Sequence, residues 1–120
     1  KKVYRIYGPD GHAVAELITG RDEVVDMSQP YAYVDPEKPW KALSFENCQA
    51  KEMLELVLSN GKRVQEPKRL EVIRAYVKEQ LATEIWPEEQ RFVNPHKHYL
   101  DMSPQYYAEK MELLHRIGRK

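Results

Sequence analysis

Met53-Leu54-Glu55-Leu56-Val57-Leu58-Ser59-Asn60-Gly61-Lys62-Arg63-Val64-Gln65 is the stretch on which the fold of this 120-residue chain turns. Asn60-Gly61 is a strong hairpin signal, because both central residues of a type I′ turn need positive φ. The apolar run before it and the short basic run after it predict a hairpin over about 53–65, with Lys62 and Arg63 on an exposed edge. Beyond Pro67 the hydrophobic period changes from two to about 3.6. Leu70, Ile73, Val77, Leu81 and Ile85 fall within an arc of roughly 120° on a helical wheel, which predicts an amphipathic helix over about 69–86. Arg74 and Glu84 intrude on that stripe and would snorkel at its margins. Pro87 either ends this helix or opens a short second one.

Upstream, Val3-Tyr4-Arg5-Ile6-Tyr7 and Ala13 to Thr19 flank Gly8-Pro9-Asp10-Gly11, a cluster of turn residues. The pattern reads as a hairpin within residues 1–25. Both strands carry apolar residues on each face, as in strands covered on both sides. Residues 26–41 contain Pro30, Pro36 and Pro39 and read as a Pro-rich connector. Downstream, Ser103 is a good N-cap and Pro104 suits the first helical position. Tyr107, Met111, Leu114 and Ile117 then share a face, so a last helix is predicted over about 104–117, with Gly118 placed to end it. Strands come first and helices afterwards: an α+β fold of two hairpins followed by two or three helices, with residues 42–120 as its main body.

With 19 basic and 19 acidic side chains the formal net charge is zero. Such a balance leaves no electrostatic footprint for nucleic acid, and no polybasic run addresses an anionic membrane. No apolar run approaches the roughly 20 residues of a membrane span. Cys48 is the single cysteine, which rules out an internal disulfide framework and multi-cysteine zinc sites, and a reducing, cytoplasmic setting is expected. The opening Lys1-Lys2, in place of methionine, points to a fragment of something longer.

Chemistry-bearing residues are sparse. His96 and His98 form an HxH pair that could hold a metal with Asp101 as third ligand; a polar loop after Pro95 is the plainer reading. His12 sits at a turn and His115 on the last helix. Cys48 lacks a nucleophile signature and reads as a small, partly buried thiol. Gly8-Pro9-Asp10-Gly11 lacks both the spacing and the strand-to-helix context of a phosphate loop. Lys62, Arg63, Lys68 and Arg69 form a basic patch suited to a phosphate or an acidic surface. Tyr31, Tyr33 and Trp40, aromatic residues on a Pro-rich loop, are the candidate interface. The residues supply no paired acid and base, no phosphate cradle and no cofactor motif, so no catalytic, cofactor-binding or metal residue is assigned.

The ordered set Leu58-Ser59-Asn60-Gly61-Lys62-Arg63-Val64, Ile73-Arg74-Ala75-Tyr76-Val77-Lys78-Glu79-Gln80-Leu81, Trp86-Pro87-Glu88, Arg91-Phe92-Val93-Asn94-Pro95-His96 and Leu100-Asp101-Met102-Ser103-Pro104 resembles the C-terminal region of nicotinate phosphoribosyltransferase. The match is good over about 42–118 and looser over 3–25, where the first hairpin looks like the one that follows the catalytic barrel in that family. Lys68 departs from the pattern, since the family commonly has a serine ahead of the helix and lysine is an inferior N-cap. The resemblance implies an enzyme of NAD biosynthesis and pyridine nucleotide salvage, a transferase or ligase that makes nicotinate mononucleotide from nicotinate and phosphoribosyl pyrophosphate. It implies ATP and magnesium as cofactors of the full enzyme, held outside this chain. As partners it implies the catalytic barrel of the same polypeptide or a second subunit, in a homodimer. This chain would be an accessory C-terminal domain, inactive alone, with residues 1–25 packed on the barrel. The alternative is a free-standing protein-interaction module using Tyr31, Tyr33 and Trp40.

Overall fold

Gly8-Pro9-Asp10-Gly11 folds back on itself as its chemistry demands. Gly11 takes φ 86°, its N–H donates to the Gly8 carbonyl at 3.0 Å, and Asp10 accepts from the His12 amide at 3.1 Å. The computed structural model describes residues 1–118. In chain order the elements are β1 (Lys2–Tyr7), β2 (Ala13–Thr19), β3 (Tyr31–Tyr33), β4 (Leu43–Phe45), β5 (Gln49–Glu52), β6 (Leu58–Ser59), β7 (Lys62–Arg63), α1 (Leu70–Thr83), a 3-10 turn (Pro87–Gln90), β8 (Tyr99–Met102) and α2 (Pro104–Gly118). The fold is α+β. It contains a mixed four-stranded sheet ordered β5-β1-β2-β8, two small antiparallel pairs (β3-β4 and β6-β7), and two helices. The chain divides into two compact units: residues 1–53 with the chain from His98 onward, and residues 54–97.

The first unit holds the core. β1 and β2 pair antiparallel with Ile6 opposite Ala15 and Tyr4 opposite Leu17, which sets these four on one face. Ile6, Ala15 and Leu17 are almost fully buried there with Phe45, and Val25, Met27, Tyr31, Tyr33 and Ala50 pack around them. On the other face Arg5 lies directly opposite Glu16, with Nε 2.9 Å from Oε1, and His98 Nε2 stands 3.4 Å from the same oxygen. No residue of β1 or β2 is exposed; each is buried or half-buried.

Several elements depart from the sequence expectation, β4 and β5 among them, which it did not contain. The connector 26–41 contributes a strand: Tyr31 pairs with Phe45 and Tyr33 with Leu43, and Tyr33 stacks on Phe45 with ring centroids 3.9 Å apart. Aromatic and β-branched residues in Tyr31-Ala32-Tyr33-Val34 favour an extended backbone even between prolines. Val34 then exchanges two backbone hydrogen bonds with Met102, at 2.8 and 2.9 Å. The strand expected from Met53 to Leu58 shrinks to Leu58–Ser59, because Met53 continues β5 by donating to the Val3 carbonyl and no third strand lines the rest. The segment after Asn94-Pro95, given no element in the sequence reading, supplies β8, which runs parallel to β2 with Leu17 beside Asp101 and Ile18 beside Met102.

Other local signals are realised. Asn60 and Gly61 both take positive φ, at 50° and 75°. Arg69 occupies the N-cap of α1 without a side-chain cap bond, and Pro87 starts the 3-10 turn. Ser103 is completely buried and caps α2: its Oγ accepts from the Tyr106 amide at 3.1 Å and donates to Glu23 Oε2 at 2.8 Å. Glu23 in turn accepts from the Gly20 amide. Gly118 is the last described residue and still helical, so the stop signal assigned to it falls at the edge of the described chain.

Burial raises the phenol pKa of both Tyr31 and Tyr33, with nearby Glu23 adding to the effect at Tyr31 and Asp101 and Asp35 at Tyr33. Protonated tyrosines are therefore favoured in the folded state. Their stabilising contribution is complete below the unfolded tyrosine value of about 10 and is lost as pH rises through the higher folded values. Urea midpoints should hold steady through neutral pH and fall above about pH 10, more steeply than in a Tyr31→Phe, Tyr33→Phe double variant. Leu17→Ala should lower unfolding free energy by about 2–5 kcal/mol, the usual cost of a cavity in a closed core. Ser103→Ala should cost about 1–2 kcal/mol through the lost cap, with Ser103→Asn or Ser103→Asp recovering little because the site is closed and already faces Glu23.

Candidate interaction surfaces

Residues singled out for chemistry lie apart or are occupied structurally. Gly8 to Gly11 is a hairpin turn. The Cys48 thiol donates to the Glu46 carbonyl at 3.3 Å, and partial burial pushes its pKa up, against the thiolate a nucleophile needs. His96 lies beside the Lys97 carbonyl, with its amide bonded to the Glu88 carbonyl, whereas His98 approaches Glu16. Asp101, the third ligand of the metal reading, is buried beside Leu17 in the sheet. Among the described residues no three His, Cys, Asp or Glu side chains converge as a metal site. His12 faces Asp10, and His115 lies exposed in the last turn of α2.

The aromatic loop is divided by the fold. Tyr31 and Tyr33 sit in β3 against the core cluster, while Trp40 remains 76% exposed. Beside Tyr33 a cleft of about 400 Å³ opens, with Phe45 and Tyr99 in its wall and both Asp35 and Asp101 at its polar side. Lys38 and Lys41 also line it. Asp35 is turned toward its own loop, accepting from the Glu37 amide at 2.9 Å. Among the described residues that line it, the cleft offers an aromatic wall and mixed charge.

Larger apolar surface is exposed on the helices. Along α1, Leu70, Ile73, Val77 and Leu81 are 43–64% exposed although they form one stripe. Met111, Leu114 and Ile117 of α2 are exposed too, as are Phe92 and Val93 after the 3-10 turn. Where β7 approaches the start of α1, Val57, Pro67 and Ile73 line a hollow of about 350 Å³, edged by Arg63 and Lys68. The apolar faces of α1 and α2 were present in the sequence as stripes. That they stay uncovered was not, since periodicity tells which face is apolar and says nothing about what meets it. No helix among the described residues is long and apolar enough to cross a membrane.

Residues 1–110 match the family described as nicotinate phosphoribosyltransferase C-terminal domain. The nicotinate phosphoribosyltransferase of Bacillus subtilis (strain 168) is 26% identical over 118 residues, covering 98% of this chain and 24% of that protein. The chain thus spans about a quarter of the length of this curated relative. The crystal structure of human nicotinic acid phosphoribosyltransferase superposes with a TM-score of 0.84 at 22% identity, over 94% of this chain and 22% of that one, a likeness of fold. With the family matched across nearly its whole length, the chain belongs to the nicotinate phosphoribosyltransferase C-terminal domain family.

Proposed function

We propose that the chain serves as the accessory C-terminal domain of an ATP-coupled enzyme that joins nicotinate to phosphoribosyl pyrophosphate, forming nicotinate mononucleotide in NAD salvage. The observation that carries this reading is the family match over residues 1–110. A domain so placed contributes shape. Catalytic positioning and electrostatic stabilisation of an oxocarbenium-like ribosyl transition state would come from the barrel, which on this reading also holds ATP and magnesium. The partner is the barrel of the same polypeptide or its neighbour in a homodimer, and the setting is cytoplasmic.

The exposed apolar faces of α1 and α2 support docking, because contiguous apolar surface left in water marks an interaction site. A free-standing interaction module built on Tyr31, Tyr33 and Trp40 is less well supported, since two of the three aromatics already pack in the core. The isolated chain should show no turnover of nicotinate with phosphoribosyl pyrophosphate and ATP. Co-expression with the remainder of a polypeptide of this family should restore turnover that the remainder lacks alone. Full activity in a polypeptide deleted for residues 42–118, measured as nicotinate mononucleotide formed per enzyme, would overturn the reading.

A further inference from the structure

The two units differ in a way that decides which surface docks. Residues 1–53 with the chain from His98 onward enclose Ile6, Leu17, Phe45 and Met102. In residues 54–97 no residue is buried at all. The least exposed side chains there are half-buried, and only Ile85 and Trp86 among them are large and apolar. Meanwhile Leu54, Leu56, Val57, Leu58, Val64 and the four stripe residues of α1 are each at least 43% exposed. A segment of this size stays folded through a packed core, a cross-link or an external surface. It has no cysteine, and α1 lacks a side-chain cap. A 14-residue helix without tertiary packing is marginal in water.

We infer that residues 54–97 form a docking arm whose folded state is completed by the remainder of the transferase polypeptide, through an apolar surface bordered by carboxylates. This rests on the proposed function for the existence of that remainder. Its length supports the choice of occupant, since three quarters of the curated relative lies outside the region matched. Charge complementarity sets the chemistry. The hollow formed by Val57, Pro67 and Ile73 admits an apolar side chain; Arg63 and Lys68 line it together with one carboxylate, Glu66. Lys62 and Arg69 adjoin them in sequence, Arg69 lying 3.7 Å from Glu71, so residues 62–71 carry four cations against two carboxylates. An acidic border on the partner would pair with the cations and exclude cationic surfaces. The docking surface is therefore placed on the second hairpin and α1.

Amide hydrogen exchange tests the inference. In the free 120-residue chain, α1 amides should exchange nearly unprotected while those of Ile6 and Leu17 stay slow; in the complete polypeptide, α1 exchange should slow by roughly 100-fold or more. Within that polypeptide Val77→Lys, on the stripe, should restore fast exchange across 54–97 and leave the four-stranded sheet protected. Glu79→Lys, on the opposite side of α1, should change neither. Protection of α1 in the free chain overturns the inference, whether at high dilution or only where the chain self-associates. So does a Val77→Lys variant that leaves α1 protected or opens the sheet equally. Turnover assayed on the same samples separates the two ideas: loss of the functional reading would show as activity independent of the domain, with the exchange pattern intact.

Discussion

Parallel pairing of β8 with β2 is the constraint on which the ordered half of this molecule depends. It brings Tyr99–Met102 beside Ala15–Ile18, so a strand late in the chain completes a sheet begun at residue 2. Parallel strands cannot be joined by a tight turn and need a long crossover. Here that crossover carries β3 to β7 and α1. Ser103 secures the junction where β8 gives way to α2. Its amide donates to the Ile18 carbonyl, its hydroxyl donates to Glu23 and its Oγ accepts from the first turn of α2. One buried serine, through its amide and its hydroxyl, thus ties the sheet, the segment after β2 and the last helix.

The same closure explains why Tyr31 and Tyr33 behave as core residues. Val34 bridges to Met102, which holds β3 against the sheet and lets Tyr33 stack on Phe45. Trp40, beyond the turn that Asp35 caps, escapes that pull and stays in solvent. In residues 54–97 the large apolar side chains other than Ile85 and Trp86 are exposed.

Reading from sequence succeeded where the deciding neighbours were close. Asn60-Gly61 made its turn, Ser103 capped its helix, and the stripe from Leu70 to Leu81 became α1. It failed for β3, β4, β5 and β8, which are three or four residues each and too short to show a period. For the candidate interface, aromatic composition picked out Tyr31, Tyr33 and Trp40 without distinguishing a ring stacked on Phe45 from one left in water. The resemblance in the C-terminal half was legible because several weak signals occurred in order, each too common to mean anything alone.

By itself, then, the sequence determined the turns, the cap and the two helices with their apolar sides. Each of these depends on residue type and on neighbours within about four positions. Tertiary structure alone decided that β8 lies beside β2, that Asp101 and Ser103 are buried, and that the apolar stripe of α1 stays exposed. Those outcomes depend on which distant segments find each other, and the closure of an 80-residue separation between Glu23 and Ser103 leaves no trace in local spacing.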